Sequence, residues 1–235
     1  MYLGRDVRVL QEVSRQTGVH ILTNTGLYKE PYLPTRTFEM TPKALAQEWI
    51  AEWRDGIDGS EVRPGFIKIA VNPGPLIPVQ QVIVRAAAIT SQAAGLTVAA
   101  HTGHGLAAQM SLDLAEQEGM DLSHYIIVHA HNLARVDEHL AVARRGAWLE
   151  YDGISPDSVD LHVQLVMQMV AKGYEEQILI SHDAGWYSAG EENGGDVRPF
   201  TTLFDLFLPR LREAGGDTAL IEKLLVENPR RALAG

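Results

Sequence analysis

Along the chain, apolar residues recur at helical spacing in some stretches and form short, nearly all-apolar runs in others, with Gly, Pro or polar residues between. The first pattern marks amphipathic helices and the second marks strands covered on both faces. A helix is predicted over residues 5–17, "RDVRVLQEVSRQT", ended by Gly18, and the strand "HILTNTG" follows. The next helix is "TPKALAQEWIAEWRDGI", where Thr41 is placed to cap it and Pro42 fills the first helical position. Residues 65–71, "GFIKIAV", form a strand that leads into the helix "VQQVIVRAAAITSQAAG". The alternation continues through "LTVAAHT" and "AAQMSLDLAEQEG", "YIIVHAH" and "ARVDEHLAVARRG", "WLEYD" and "SVDLHVQLVMQMVAKG", and then "QILISHD" before the closing helices. No linker-like or low-complexity segment interrupts it, so residues 1–235 read as one domain.

Six strands alternating with helices fit either a doubly wound open sheet or a (β/α)8 barrel. A dinucleotide-binding open sheet carries G-x-G-x-x-G in its first strand-to-helix turn, and "TGHG" at residues 102–105 is too short and stands mid-chain. In a barrel, functional side chains come from the C-terminal ends of several strands. Lys68, His101, His129 and Asp183 each stand at or near the end of a separate strand, which favours the barrel. Parallel, adjacent strands would bring the four to one mouth.

Composition narrows the chemistry. A chain of 235 residues with 46% hydrophobic residues can build a sizeable core. No apolar run nears the roughly 20 residues that span a bilayer, and "MYLGRDVRVL" lacks a secretory apolar segment, so a soluble, cytoplasmic protein is expected. The formal net charge of −10 argues against nucleic acid and anionic membranes and leaves a small-molecule substrate as the expected partner. With no cysteine and nine histidines, any metal must be held by His, Asp, Glu or something less usual. A protonated ammonium ligates nothing, which makes Lys68 in the middle of a core strand the anomaly. Burial lowers a lysine's pKa, and a neutral amine reacts with carbon dioxide to give a carbamate, an anionic ligand able to bridge two cations.

These residues resemble the phosphotriesterase family of the amidohydrolase superfamily. The similarity runs from "GRDV" through "HILTNTGLY", "GFIKIAV", "VAAHT", "IIVHAHN", "GAWLEYDGI" and "ILISHD" to "ENPRRAL" and covers essentially the whole chain. The resemblance implies a TIM barrel with a binuclear metal centre, usually two Zn2+. By the matching motifs, Lys68 would be the bridging carbamate and His101 and His129 ligands of one metal. Asp183 would bind the other metal and accept a proton as a metal-bound hydroxide attacks an ester, lactone or phosphotriester.

The family's first strand carries a His-x-His pair, and "MYLGRDV" looks like the turn after its second strand. About six of the eight strand–helix units, without that pair, are therefore expected. Two rival readings follow: an inactive barrel fragment that assembles as a homo-oligomer through its open sheet edge, and a mononuclear hydrolase using Lys68, His101 and His129. His131 completes the chain's own H-x-H and is read as bordering the substrate pocket. Substrate contacts are expected from Tyr28, Tyr32, His104, Trp186 and Tyr187, on loops that follow the strands. Asp152 and Asp157 are offered by the loop "YDGISPD", and Arg198 is read as pairing with Glu191 or Glu192 on the surface rather than with a substrate anion. A lactonase-like arginine expected shortly after the seventh strand is replaced by Gly153.

Overall fold

A computed structural model describes residues 5–233; the first four residues of the "MYLGRDV" turn lie outside that range. The helix α1 (Val7–Thr17) starts on Asp6, whose carboxylate accepts from the amides of Arg8 and Val9, and it ends on left-handed Gly18. The strand β1 follows (Asn24–Thr25), and α2 (Pro42–Asp55) is capped by the Thr41 hydroxyl, which accepts from the Ala44 amide. The wall then runs β2 (Phe66–Ala70), α3 (Pro78–Ala94), β3 (Val98–His101), α4 (Gly105–Gln117), β4 (Tyr125–Val128), α5 (Val136–Arg144), β5 (Trp148–Tyr151), α6 (Val159–Val170) and β6 (Ile178–Ile180). Three short helices close the described chain: α7 (Leu208–Glu213), α8 (Thr218–Glu222) and α9 (Asn228–Leu233).

The strands form one six-stranded sheet in the order β1-β2-β3-β4-β5-β6, every adjacent pair parallel. Sequential order without reversal is that of a barrel wall and excludes the doubly wound alternative, in which the order turns back on itself. Among the described residues the sheet has six strands, with β1 and β6 as edges. The predicted first strand shrinks from seven residues to Asn24–Thr25, because at the edge it has only β2 to pair with.

Strand alternation sorts the side chains into two cores. Ile67, Ile69, Val98, Ala100, Tyr125, Ile127, Leu149, Tyr151 and Ile178 face the helices in the larger core. Ala99, Ile126, Val128, Trp148 and Leu179, joined by Phe66, line the other face. Ala232 and Leu233 of α9 pack into that second group, and the buried Thr97 hydroxyl donates to the Ala232 carbonyl over 2.6 Å. The C-terminal helix therefore plugs the N-terminal end of the concave face and leaves its C-terminal end open. No helix among the described residues is long and apolar enough to cross a membrane.

Candidate metal centre

By the same alternation, Lys68, His101, Glu150 and Ser181 fall on the concave face. Lys68 pairs with Ala99, one inward position below His101, and Ala70 stands level with His101. A small neighbour thus leaves room for the lysine stem to climb toward the histidines. Its Nζ is buried and has no hydrogen-bond partner among the described residues. Burial drives the amine's pKa down, and the negative charges of Glu150, Asp152 and Asp183 only partly oppose this.

His101 ends β3, and His129 follows β4 in the left-handed conformation (φ 63°). A bulky residue rarely adopts this conformation, and it turns the imidazole back over the strand end. Nδ1 of His129 meets Asp152 Oδ1 at 2.6 Å and its backbone amide donates to Asp152 Oδ2 at 3.0 Å. With the proton held on Nδ1 by the carboxylate, the lone pair lies on Nε2, which is 2.8 Å from His101 Nδ1. The rings meet edge-on with centroids 4.4 Å apart. The Tyr28 hydroxyl is 3.1 Å from His101 Nδ1, and Lys29 Nζ is 3.1 Å from His101 Nε2. Burial and then the neighbouring His129 push the His101 pKa down to about 3, so its imidazole is neutral and competent to ligate.

Asp152 is the correction to the sequence reading. It is not a specificity residue on a loop: it is 2% exposed, clamps His129, and stands with Oδ1 3.3 Å from His131 Nδ1. His162 of α6 is 1% exposed and its Nε2 meets the Asp152 carbonyl at 2.7 Å, so it braces the carboxylate's backbone. His131 lies in this cluster, with burial the main cause of a pKa lowered to about 4. Glu150 was also missed. Burial, then repulsion by Asp152, raises its pKa to about 7, against Lys68 and a 3.2 Å hydrogen bond from the Ser181 hydroxyl.

Asp183 follows β6 in a left-handed conformation (φ 46°) and is exposed at the open end. Its charge acts on Lys68, Tyr28 and His131, while its carbonyl accepts from Trp186 and Arg198. Tyr28 and Tyr32 pack edge to face at 5.8 Å and line a cleft of about 660 Å³ that reaches Lys68. His104 is exposed and accepts from the Gly74 amide, and Trp186 and Tyr187 are 65% and 72% exposed. Arg198 does not pair with Glu191 or Glu192: it donates to the carbonyls of His182 and Asp183 at 2.8 and 2.9 Å.

Among the described residues, no three or more His, Cys, Asp or Glu side chains gather as a metal cage. The converging donors are instead two imidazoles and an orphaned buried amine. That set fits a divalent cation if the lysine becomes an anionic ligand, and the lowered pKa favours the neutral amine that carbamate formation requires.

A phosphotriesterase family model matches residues 1–233. The phosphotriesterase homology protein of Escherichia coli is 28% identical over 232 residues, 97% of this chain and 79% of that protein. Its crystal structure, complexed with phosphate in the active site, superposes with a TM-score of 0.89 over 97% of this chain and 80% of that one, at 27% identity. An aryldialkylphosphatase of Saccharolobus solfataricus is 29% identical over 98% of this chain and 77% of its own length, and an N-acetyltaurine hydrolase of Danio rerio is 26% identical over 98% and 70%.

Proposed function

Because the chain belongs to the phosphotriesterase family, we propose that it is a metal-dependent hydrolase acting on an ester, lactone or phosphotriester. The observation that carries the reading is the pair of strand-end imidazoles, one oriented by a buried carboxylate, above a buried lysine amine without a partner. Lys68 as its carbamate, His101, His129 and Asp183 would hold divalent metal, zinc in the first instance. When bound, the metal polarises the scissile oxygen and acidifies a water molecule.

The chain's own residues do the rest. Asp152 keeps the proton on His129 Nδ1 and so presents Nε2. The dry surroundings of Lys68 favour a free nitrogen lone pair; that nitrogen bonds to the carbon of carbon dioxide and releases a proton to solvent. Asp183, exposed at the open end of the strands, accepts the proton that the attacking water gives up. Tyr28 and Tyr32 bound the cleft through which a small molecule reaches the centre. Two relatives, an aryldialkylphosphatase and an N-acetyltaurine hydrolase, support hydrolysis as the reaction class and leave the scissile bond open.

The test is hydrolysis of an aryl ester, a lactone and an aryl phosphotriester by protein purified with zinc and bicarbonate, before and after chelation. Turnover of any one that chelation removes and zinc restores is the expected result. Chelator-insensitive turnover, or none, refutes the reading. The strands β1 and β6, each paired on one side only among the described residues, favour a second reading, an inactive assembly through edge pairing. It predicts a dimer or larger particle in sedimentation together with no metal-dependent turnover.

A further inference from the structure

Gly153 follows Asp152 at the end of β5 with φ +75°. A Cβ there would lie 3.5 Å from both Cε1 and Nε2 of His131 and 3.9 Å from Arg198 NH1. The missing side chain thus leaves a shallow floor between an imidazole of the candidate centre and a guanidinium delivered by the long loop after β6. Arg198 is half-buried and anchored, because NH1 alone makes both bonds to the carbonyls of His182 and Asp183. Among the described residues no carboxylate comes within ion-pair distance of it, and its Nε and NH2 donate to no protein group. Glu191, the acid the sequence offered it, turns toward Gly195 instead. A chain with a net charge of −10 therefore holds a fixed, unneutralised cation beside its candidate centre, with the Nε–NH2 edge of the guanidinium unspent. That edge presents two parallel N–H donors, the geometry that takes both oxygens of an oxyanion.

Building on the proposed hydrolase, we propose that Arg198 is a specificity determinant that binds an anionic group, a carboxylate in the first instance, carried by the substrate away from its scissile bond. Its contribution falls on binding, since the guanidinium is tied to backbone carbonyls.

The experiment compares 4-acetoxybenzoate with its methyl ester as substrates of the zinc-loaded chain, in the wild type, Arg198→Met and Arg198→Lys. The wild type should prefer the anionic ester by about tenfold or more in kcat/KM, through KM, about the discrimination a lost charge-assisted hydrogen bond produces. The preference should collapse in Arg198→Met and partly return in Arg198→Lys. Loosening of the loop alone lowers both esters together and leaves the ratio intact; an intact ratio in Arg198→Met, or no preference in the wild type, overturns the proposal. If neither ester is hydrolysed, the hydrolase reading fails on its own, and calorimetric titration with benzoate against benzamide still decides Arg198. Benzoate binding that weakens about tenfold in Arg198→Met supports the proposal, and benzoate binding that is absent or unchanged refutes it.

Discussion

Replacing Glu150 by Gln should change how stability depends on pH, by an amount the structure sets. In the folded, metal-free chain the carboxyl is held at about 7 against an ordinary value of 4.5, chiefly by burial and then by Asp152. A raised folded pKa means that the native state binds the proton more tightly than the unfolded state does. The stabilisation is therefore complete below pH 4.5 and is lost as pH rises through 7. The difference, 7 − 4.5 = 2.5 pH units, corresponds to about 3 kcal/mol at roughly 1.4 kcal/mol per unit. Glutamine keeps the shape and the capacity to accept from Ser181 but cannot ionise. Urea unfolding of both proteins in chelator, at intervals from pH 4 to 8, gives the two stability curves. Groups common to both cancel in the difference apart from their coupling to position 150. The variant should gain on the wild type by about 3 kcal/mol across that range, nearly all of it above pH 4.5. Parallel curves would refute the claim that the Glu150 carboxyl is desolvated on the concave face.

Other outcomes follow from single contacts. Lys68→Met removes a buried amine that lacks a partner, so the metal-free chain should gain about 1–3 kcal/mol in urea unfolding while losing metal uptake. Asp152→Asn frees the His129 tautomer and should weaken metal affinity about 10–100-fold in competition with a chromophoric chelator. Gly26→Ala places a Cβ 2.1 Å from the Lys68 carbonyl oxygen at a backbone φ of +117°. Because backbone must yield to backbone, the variant should lose at least about 2 kcal/mol in thermal or urea unfolding.

The alternation of strands and helices was legible because each apolar run carries its own length and its own stops, and the barrel order followed from where Lys68, His101, His129 and Asp183 fall. What escaped was direction. "YDGISPD" reads as a loop, but Asp152 turns inward because His129 leaves its strand in a left-handed conformation and presents both an amide and a ring nitrogen to the carboxylate. His162 stands on a helix more than thirty residues further along the chain than His129, and no local pattern says that its ring returns to the Asp152 carbonyl. Glu150 was accessible in principle: it shares a face with Trp148 in a strand whose other residues are apolar, the same signal that singled out Lys68. Arg198 was misassigned because sequence proximity to Glu191 and Glu192 suggests pairing, whereas the loop folds the guanidinium back onto the carbonyls after β6.

The central claim is that Lys68, through its buried amine, completes a metal centre with the two imidazoles. The most direct test is the metal-to-protein ratio, by plasma mass spectrometry, of wild type and Lys68→Ala after loading with zinc and bicarbonate. At least one zinc per wild-type chain and none in Lys68→Ala is the result this account predicts; an empty wild type, or equal zinc in both proteins, would contradict it.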